Sequence, residues 1–337
     1  MGHEDKPAEV REGEAFDVGR METFIKDNIP GLDGALSVKQ FPSGFSNLTY
    51  MLKIGDRELV MRRPPFGKKA KTAHDMSREY RILRSLKPVF PYVPEPLLYC
   101  DDPEVIGSTF YIMERFRGVI LRRNFPRGLH LSEEEAGCLC ENWVDVLVTL
   151  HGFDYKKIGL GDFGKPDGYV RRQVEGWSAR YRDAYTDDAP DFEEVMQWLR
   201  DHMPDDSPAA CVVHNDYKFD NVVLAPDNLS KIIGVLDWEM ATIGDPLMDL
   251  GASLAYWVTS EDPEEFQIIR TLPTVSPGML NREQLVESYL SKTGRTLSSF
   301  DFYLCFGLFR LAGIAQQIYY RFYHGQTRDE RFGMLIV

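Results

Sequence analysis

The chain has 337 residues, with 39 Lys and Arg against 52 Asp and Glu, a formal net charge of −13. That balance excludes a general nucleic-acid binder and a protein drawn to anionic membranes, because both need a basic face. Hydrophobic residues make up 43%, too many for a disordered chain, and the length points to two domains or lobes.

Residues 1–20 read as a flexible or loosely docked lead, charged and without the apolar stretch of a signal peptide. From Leu36 the texture is β. LSVKQF, the loop PSGFSN, LTYMLKI, a turn at Gly55-Asp56 and RELVMRR predict a strand, a loop and a hairpin. Pro64-Pro65 stops the last strand. His74 to Leu86 is periodic as a helix, with Met76, Tyr80 and Leu83 along one face. LLYC and STFYIMERF predict two more strands, and a linker follows near residues 114–119.

Beyond Gly118 the texture is helical. Ser132 with Glu135 three residues on is a capping box that opens a helix reaching Leu150. Further helices are expected near 168–185, 191–203 and 302–322, around a short β region between Cys211 and Leu236. This predicts an α+β chain: a lead at 1–20, a small β-rich lobe over 21–116 and a larger, mostly helical lobe over 117–337.

Five scattered cysteines read as reduced and buried, and no apolar run is long enough to span a bilayer, so the cytoplasm is expected. Charge is uneven. Between Lys53 and Arg84 ten basic residues face four acidic ones, so this window carries +6 and the remainder −19. An anion is favoured locally on an acidic protein.

The strongest motif is His214-Asn215-Asp216-Tyr217-Lys218-Phe219-Asp220-Asn221, an H-x-D-x-x-x-x-N pattern. Phosphoryl transfer to a hydroxyl needs a carboxylate to orient the hydroxyl or accept its proton, and an oxygen ligand for Mg²⁺ close by. Asp237 ends an apolar strand sixteen residues after Asn221, where a second metal ligand suits.

VVHNDYKFDNVVL followed by IIGVLDWEMATIGDPLMDL resembles the aminoglycoside phosphotransferase family of the protein-kinase-like superfamily, and most of all its branch joined to acyl-CoA dehydrogenases. GFSNLTYML, LVMRRPP, SREYRIL and FYIMERFRG extend the resemblance over about residues 36–255. It implies a two-lobed, protein-kinase-like fold and ATP with Mg²⁺ as cofactors. As partners it implies a small-molecule hydroxyl acceptor and a functional link to an acyl-CoA dehydrogenase.

For individual residues the resemblance implies Asp216 as catalytic base, Asn221 and Asp237 as Mg²⁺ ligands, and His214 as a brace of the catalytic loop. Ser43, Gly44, Phe45, Ser46 and Asn47 match the loop over the nucleotide phosphates. Arg62 stands where the family offers a lysine to those phosphates, and Glu79 where a helix carboxylate holds it. Neighbours on a strand point to opposite faces, which favours Arg62, on the face of Val60, over Arg63. Met113, Glu114 and Phe116 match the hinge beside adenine, and Asp245 and Asp249 read as bracing groups. Glu239 suits either a metal or substrate contact or a surface position, and Arg310 either a grip on an acidic substrate or an amphipathic core helix.

The expected activity is transfer of the ATP γ-phosphate to a small-molecule hydroxyl, such as that of a hydroxy acid or hydroxyacyl-CoA. Alternatives are an aminoglycoside- or choline-type kinase acting on a cationic substrate, and a catalytically silent nucleotide-binding module. A protein kinase is disfavoured, because only twelve residues separate Asp237 from Asp249 and no A-P-E stands there.

Overall fold

A computed structural model of the chain describes residues 6–42, 47–65, 75–205, 209–327 and 329–336. In chain order the elements begin with α1 (Val18–Asn28), β1 (Leu36–Gln40), β2 (Leu48–Ile54), β3 (Arg57–Arg63), α2 (Met76–Leu86), β4 (Pro96–Cys100), α3 (Pro103–Ile106) and β5 (Phe110–Glu114). Next come α4 (Glu133–His151), α5 (Tyr169–Asp183), α6 (Glu193–Asp201), β6 (Cys211–Val213), β7 (Val222–Ala225), β8 (Asn228–Val235) and β9 (Thr242–Gly244). The chain continues through α7 (Pro246–Leu254), α8 (Glu264–Ile269), α9 (Arg282–Thr293) and α10 (Asp301–Tyr323). It divides into two compact units, Met1–Ile120 with Asn221–Ala241, and Leu121–Asp220 with Thr242–Val337. The stretch carrying Asn221 and Asp237 therefore groups with the first unit rather than with the rest of 117–337.

The first unit is built on a five-stranded antiparallel sheet in the order β1-β2-β3-β5-β4. β2 and β3 form the expected hairpin, with Ile54 opposite Arg57 and Thr49 opposite Arg62. Gly55 closes its turn at φ 56°, a left-handed conformation that glycine adopts without a Cβ penalty. Tyr50, Leu52, Ile54, Leu59, Met61, Phe110 and Ile112 bury one face together with Met21 and Ile25 of α1. The charged lead hides this helix from the sequence pattern, because only those two of its residues are buried. Of the lead, the part from Ala8 to Glu14 is docked on the sheet. Ala8 pairs with Gln40, the Arg11 amide donates to Gln40 Oε1 at 3.0 Å, and the Tyr50 hydroxyl donates to the Glu14 carbonyl at 2.7 Å.

α2 begins at Met76 under an Asp75 cap that accepts from the Ser77 and Arg78 amides. Its buried residues are Met76, Glu79, Ile82, Leu83 and Leu86. Tyr80 is only half-buried and stacks on Tyr99, so Ile82 takes the core position expected of it. The β7–β8 hairpin belongs to the same unit.

The second unit is mainly helical. α4 carries the capping box between Ser132 and Glu135 and buries Trp143, Leu147, Leu150 and His151. β6 pairs with β9, a three-residue strand too short to show in the sequence pattern. Every residue of α7 is buried, and Gly251 of α7 meets Gly307 of α10 so closely that a Cβ on either would strike the other helix's backbone. Among the described residues no helix is long and apolar enough to cross a membrane. The five cysteines are free thiols. Cys138 is exposed and Cys305 half-buried, against the expectation that all are buried.

Candidate active site

In the first unit the chemistry gathers around Arg62. The alternation along β3 turns Arg62 and Arg63 to opposite faces. Arg63 Nη1 donates to the Ile106 carbonyl at 3.2 Å. Arg62 is 7% exposed, and its Nη1 pairs with Glu79 Oε1 of α2 and, at 2.9 Å, with Asp237 Oδ1. Its Nη2 stands 3.5 Å from Glu239 Oε2, which also accepts from Asn47 Nδ2 at 2.8 Å. One guanidinium thus joins the helix carboxylate to the two acids after β8, and Asn47 bonds to the same point.

The electrostatics follow from burial. Burial works against the charge of Arg62, but Glu79, Asp237, Tyr111 and Glu239 outweigh it and hold the guanidinium cationic. Burial pushes the Glu79 carboxyl up to about 7; Arg62 opposes this, while Asp237 and Glu239 add to it. Among the described residues Arg62 Nε has no hydrogen-bond partner. A desolvated donor left unmade is costly, and a phosphate oxygen would satisfy it.

Asn221 and Asp237 are brought together by the β7–β8 hairpin. Val222 pairs with Val235, and the Leu236 amide donates to the Asn221 carbonyl at 2.8 Å. Asp237 follows at φ 65°, a left-handed conformation uncommon outside glycine that turns the chain sharply at the strand end. Among the described residues no group of three or more His, Cys, Asp or Glu could hold a metal by itself. Mg²⁺ is commonly held by one or two carboxylates, with phosphates and water completing its shell. An amide oxygen and one carboxylate therefore fit Mg²⁺ arriving with a nucleotide.

The second unit carries the loop from His214 to Asp220. Its conformation is fixed from α7. Asp249, fully buried, accepts from the His214 amide at 2.7 Å and the Asn215 amide at 2.6 Å, and sits 3.1 Å from His151 Nε2. Burial disfavours its charge, yet His151, His214 and the amide donors hold its pKa below the ordinary value. Asn215 stands at φ 63°, which asparagine tolerates better than most residues. Arg310 Nη2 donates to its carbonyl at 2.7 Å and the Tyr169 hydroxyl to its Oδ1 at 3.1 Å. Arg310 is therefore a brace of this loop, 4% exposed, and Gln316 bonds to Ala184 and Thr186.

Asp216 follows at once. Its carboxylate lies 3.1 Å from Lys218 Nζ, which reaches Asp220 at 3.8 Å and lies over the Tyr256 ring at 4.3 Å. Burial disfavours the Lys218 charge, but Tyr256, Asp216 and Asp220 together hold the ammonium above its ordinary pKa. Burial raises Asp220 to about 6 even with Lys218 beside it. Lys218 and Tyr256 were not singled out from the sequence. Lys218 stands two residues after Asp216 inside the motif, so that spacing was a usable signal; Tyr256 carried none.

Ser43, Gly44, Phe45 and Ser46 lie outside the described residues. Met113 is buried and Glu114 exposed at the end of β5, where the Glu114 amide donates to the Glu95 carbonyl at 2.9 Å. Phe116 packs its ring against Gly234 of β8. Asp245 caps α7 through the Leu247 and Met248 amides.

Comparison with known proteins places the chain in a family. Residues 37–274 match the phosphotransferase enzyme family (APH). The chain is 34% identical over 98% of its length to acyl-CoA dehydrogenase family member 11 of Gallus gallus, covering 43% of that protein. It is 34% identical over 94% of its length to family member 10 of Mus musculus, covering 30% of it. The chain thus spans less than half the length of these relatives. A crystal structure from Ralstonia eutropha, assigned as an aminoglycoside phosphotransferase, superposes with a TM-score of 0.81 at 33% identity over 95% of this chain and 94% of that one. A choline kinase from Cryptosporidium parvum shares the fold at a TM-score of 0.61 and 15% identity, covering 95% of this chain and 94% of that one. The α+β chain belongs to the phosphotransferase enzyme family.

Proposed function

We propose that this chain is an ATP- and Mg²⁺-dependent kinase that moves the γ-phosphate to a hydroxyl of a small, anionic acceptor such as a hydroxy acid or hydroxyacyl-CoA. The observation that carries this reading is the buried Arg62, held by Glu79 and Asp237 with an unspent Nε donor. In that reading Arg62, Asn47 and the loop through Ser43, Gly44, Phe45 and Ser46 hold the nucleotide phosphates, and Met113, Glu114 and Phe116 border adenine. Glu79 positions Arg62. Asn221 and Asp237 hold Mg²⁺, which neutralises charge on the phosphates when bound. The division into a nucleotide-binding lobe at 21–116 and an acceptor-binding lobe at 117–337 belongs to the same proposal, with the β7–β8 hairpin supplying metal ligands.

Asp216 orients the acceptor hydroxyl and takes its proton. Lys218, 3.1 Å from it, offers an ammonium beside the base that an anionic acceptor could share with Asp216 and Asp220. The acyl-CoA dehydrogenase names of the relatives support an acyl acceptor and a functional link to such an enzyme. The free cysteines support the cytoplasm as its setting.

The test is ADP release from Mg-ATP across a panel of hydroxylated acids, thioesters, amines and sugars. Turnover with an acidic acceptor that disappears in Asp216→Ala is expected. Turnover with cationic acceptors alone would overturn the acceptor class. ATP binding without turnover on any acceptor would mark a silent binding module.

A further inference from the structure

Two arginines of the second unit, Arg123 and Arg270, stand together with no carboxylate bonded to either among the described residues. Arg123 donates from Nη1 to the Ile268 carbonyl at 3.0 Å and from Nη2 to the Gln267 carbonyl at 3.5 Å, at the end of α8. Arg270 donates from Nη1 to the carbonyls of Arg123 and, at 2.8 Å, Leu272, and from Nη2 to Asn124 Oδ1 at 3.3 Å. These bonds fix both guanidiniums to backbone. Each guanidinium has five N–H donors, so Arg123 keeps three unspent and Arg270 two. Burial and the Arg123 cation both work against the charge of Arg270. Two cations fixed side by side repel unless an anion joins them.

A second feature adjoins the pair. Ile268 is 57% exposed and Ile269 47%, on a helix that buries none of its residues. The glutamates of α8, Glu264 and Glu265, lie in its first turn, at the end away from the arginines. Arg122, next in the chain to Arg123, faces Asp220, which shares Lys218 with Asp216.

We infer that Arg123 and Arg270, with Ile268 and Ile269 beside them, form a recognition site for a small organic anion carrying an alkyl segment. The guanidiniums take the phosphate or carboxylate and the isoleucines cover the chain. That this ligand is the acceptor rests on the function proposed above; the site itself does not. A membrane surface is a poor occupant for a chain of net charge −13. Two isoleucines are far short of the roughly 800 Å² per partner of a stable protein interface.

The test is calorimetric titration of the full chain, with Mg²⁺ and a non-hydrolysable ATP analogue filling the nucleotide site, using octyl phosphate, inorganic phosphate and octanol. Octyl phosphate should bind roughly tenfold or more tightly than either of the others. Arg123→Gln should weaken it about tenfold and remove most of its salt dependence. Ile268→Ser should weaken octyl phosphate and leave inorganic phosphate unchanged. Arg123 is exposed, so this variant decides the matter even where Arg270→Gln loosens the α8 segment. Octyl phosphate binding unchanged in Arg123→Gln, or absent from the wild-type chain, overturns the site. So does binding to phosphatidylglycerol vesicles that the same substitution abolishes. Asp216→Ala should leave octyl phosphate affinity intact, so a failed kinase reaction and a failed anion site give different results.

Discussion

Arg62 Nη1 lies 2.9 Å from Asp237 Oδ1, so the arginine that replaces the expected lysine is paired with the carboxylate proposed to hold the metal. The same guanidinium pairs with Glu79, whose side chain is 2% exposed. Removing one partner of a buried pair strands the other charge, which costs about 3–5 kcal/mol. Arg62→Ala is therefore expected to lose roughly that much stability in urea unfolding. Arg62→Ala with Glu79→Leu should recover a large part of it, because a packed apolar residue no longer needs a counter-charge. Arg62→Lys should keep most of the stability and weaken nucleotide binding, since a lysine cannot make the fork of contacts that a guanidinium makes. No recovery in the double variant would show that the pair is not the source of the loss.

Asn47 and Glu239 should act as one unit in nucleotide binding. Asn47 Nδ2 donates to Glu239 Oε2 at 2.8 Å, and the same oxygen faces Arg62. Asn47→Ala and Glu239→Ala each break this one bond, so the second substitution adds little to the first. A double-mutant cycle on the affinity for a Mg-bound ATP analogue is expected to give a coupling of about 1–2 kcal/mol. Additive losses would mean that the two side chains act on the nucleotide independently.

Asp249 gives the protein an acid-sensitive support. Its pKa is held below the ordinary carboxylate value, against burial, by His151, His214 and the two amides it accepts from. A depressed pKa means that its stabilisation is complete above the unfolded-state value, about 3.9, and is lost as pH falls through the lower folded-state value. Asp249→Asn should lower stability at pH 7 by about 1–3 kcal/mol and by progressively less as pH falls below 4. Unfolding midpoints measured from pH 3 to pH 7 check this; parallel curves for the two proteins would contradict it.

Much of this was legible in the sequence, and the misses share a cause. The β2–β3 hairpin, α4 with its capping box and the motif from His214 to Asn221 are short-range patterns, and they stand where the sequence put them. What escaped depends on distant residues. Gln40 pins the lead at Ala8 and Arg11, far along the chain. Tyr169, 46 residues before Asn215, and Arg310, 95 residues after it, hold the loop, and neither position announces this. Glu239 looked as much like a surface carboxylate as a site residue, because its partners Asn47 and Arg62 lie 192 and 177 residues upstream. Local periodicity reports which face is buried, not which polar group waits there.

The contact between α7 and α10 holds the helix that carries Asp249, and Asp249 in turn holds the loop proposed to be catalytic. A Cβ on Gly307 would strike the Gly251 carbonyl and one on Gly251 the Tyr303 carbonyl, both backbone atoms that cannot turn aside. Glycine inside a helix costs about 1 kcal/mol relative to alanine, so without this contact Gly307→Ala would stabilise α10. Overpacking of a tight core costs about 1–3 kcal/mol, and here the whole of α7 is buried, leaving no route for relaxation. The steric term wins. Gly307→Ala is expected to lower the urea midpoint and to reduce ADP release as Asp249 shifts away from the His214 and Asn215 amides. A substitution that raises the midpoint would show that the helices can separate without cost, and that the glycine pair does not position the loop.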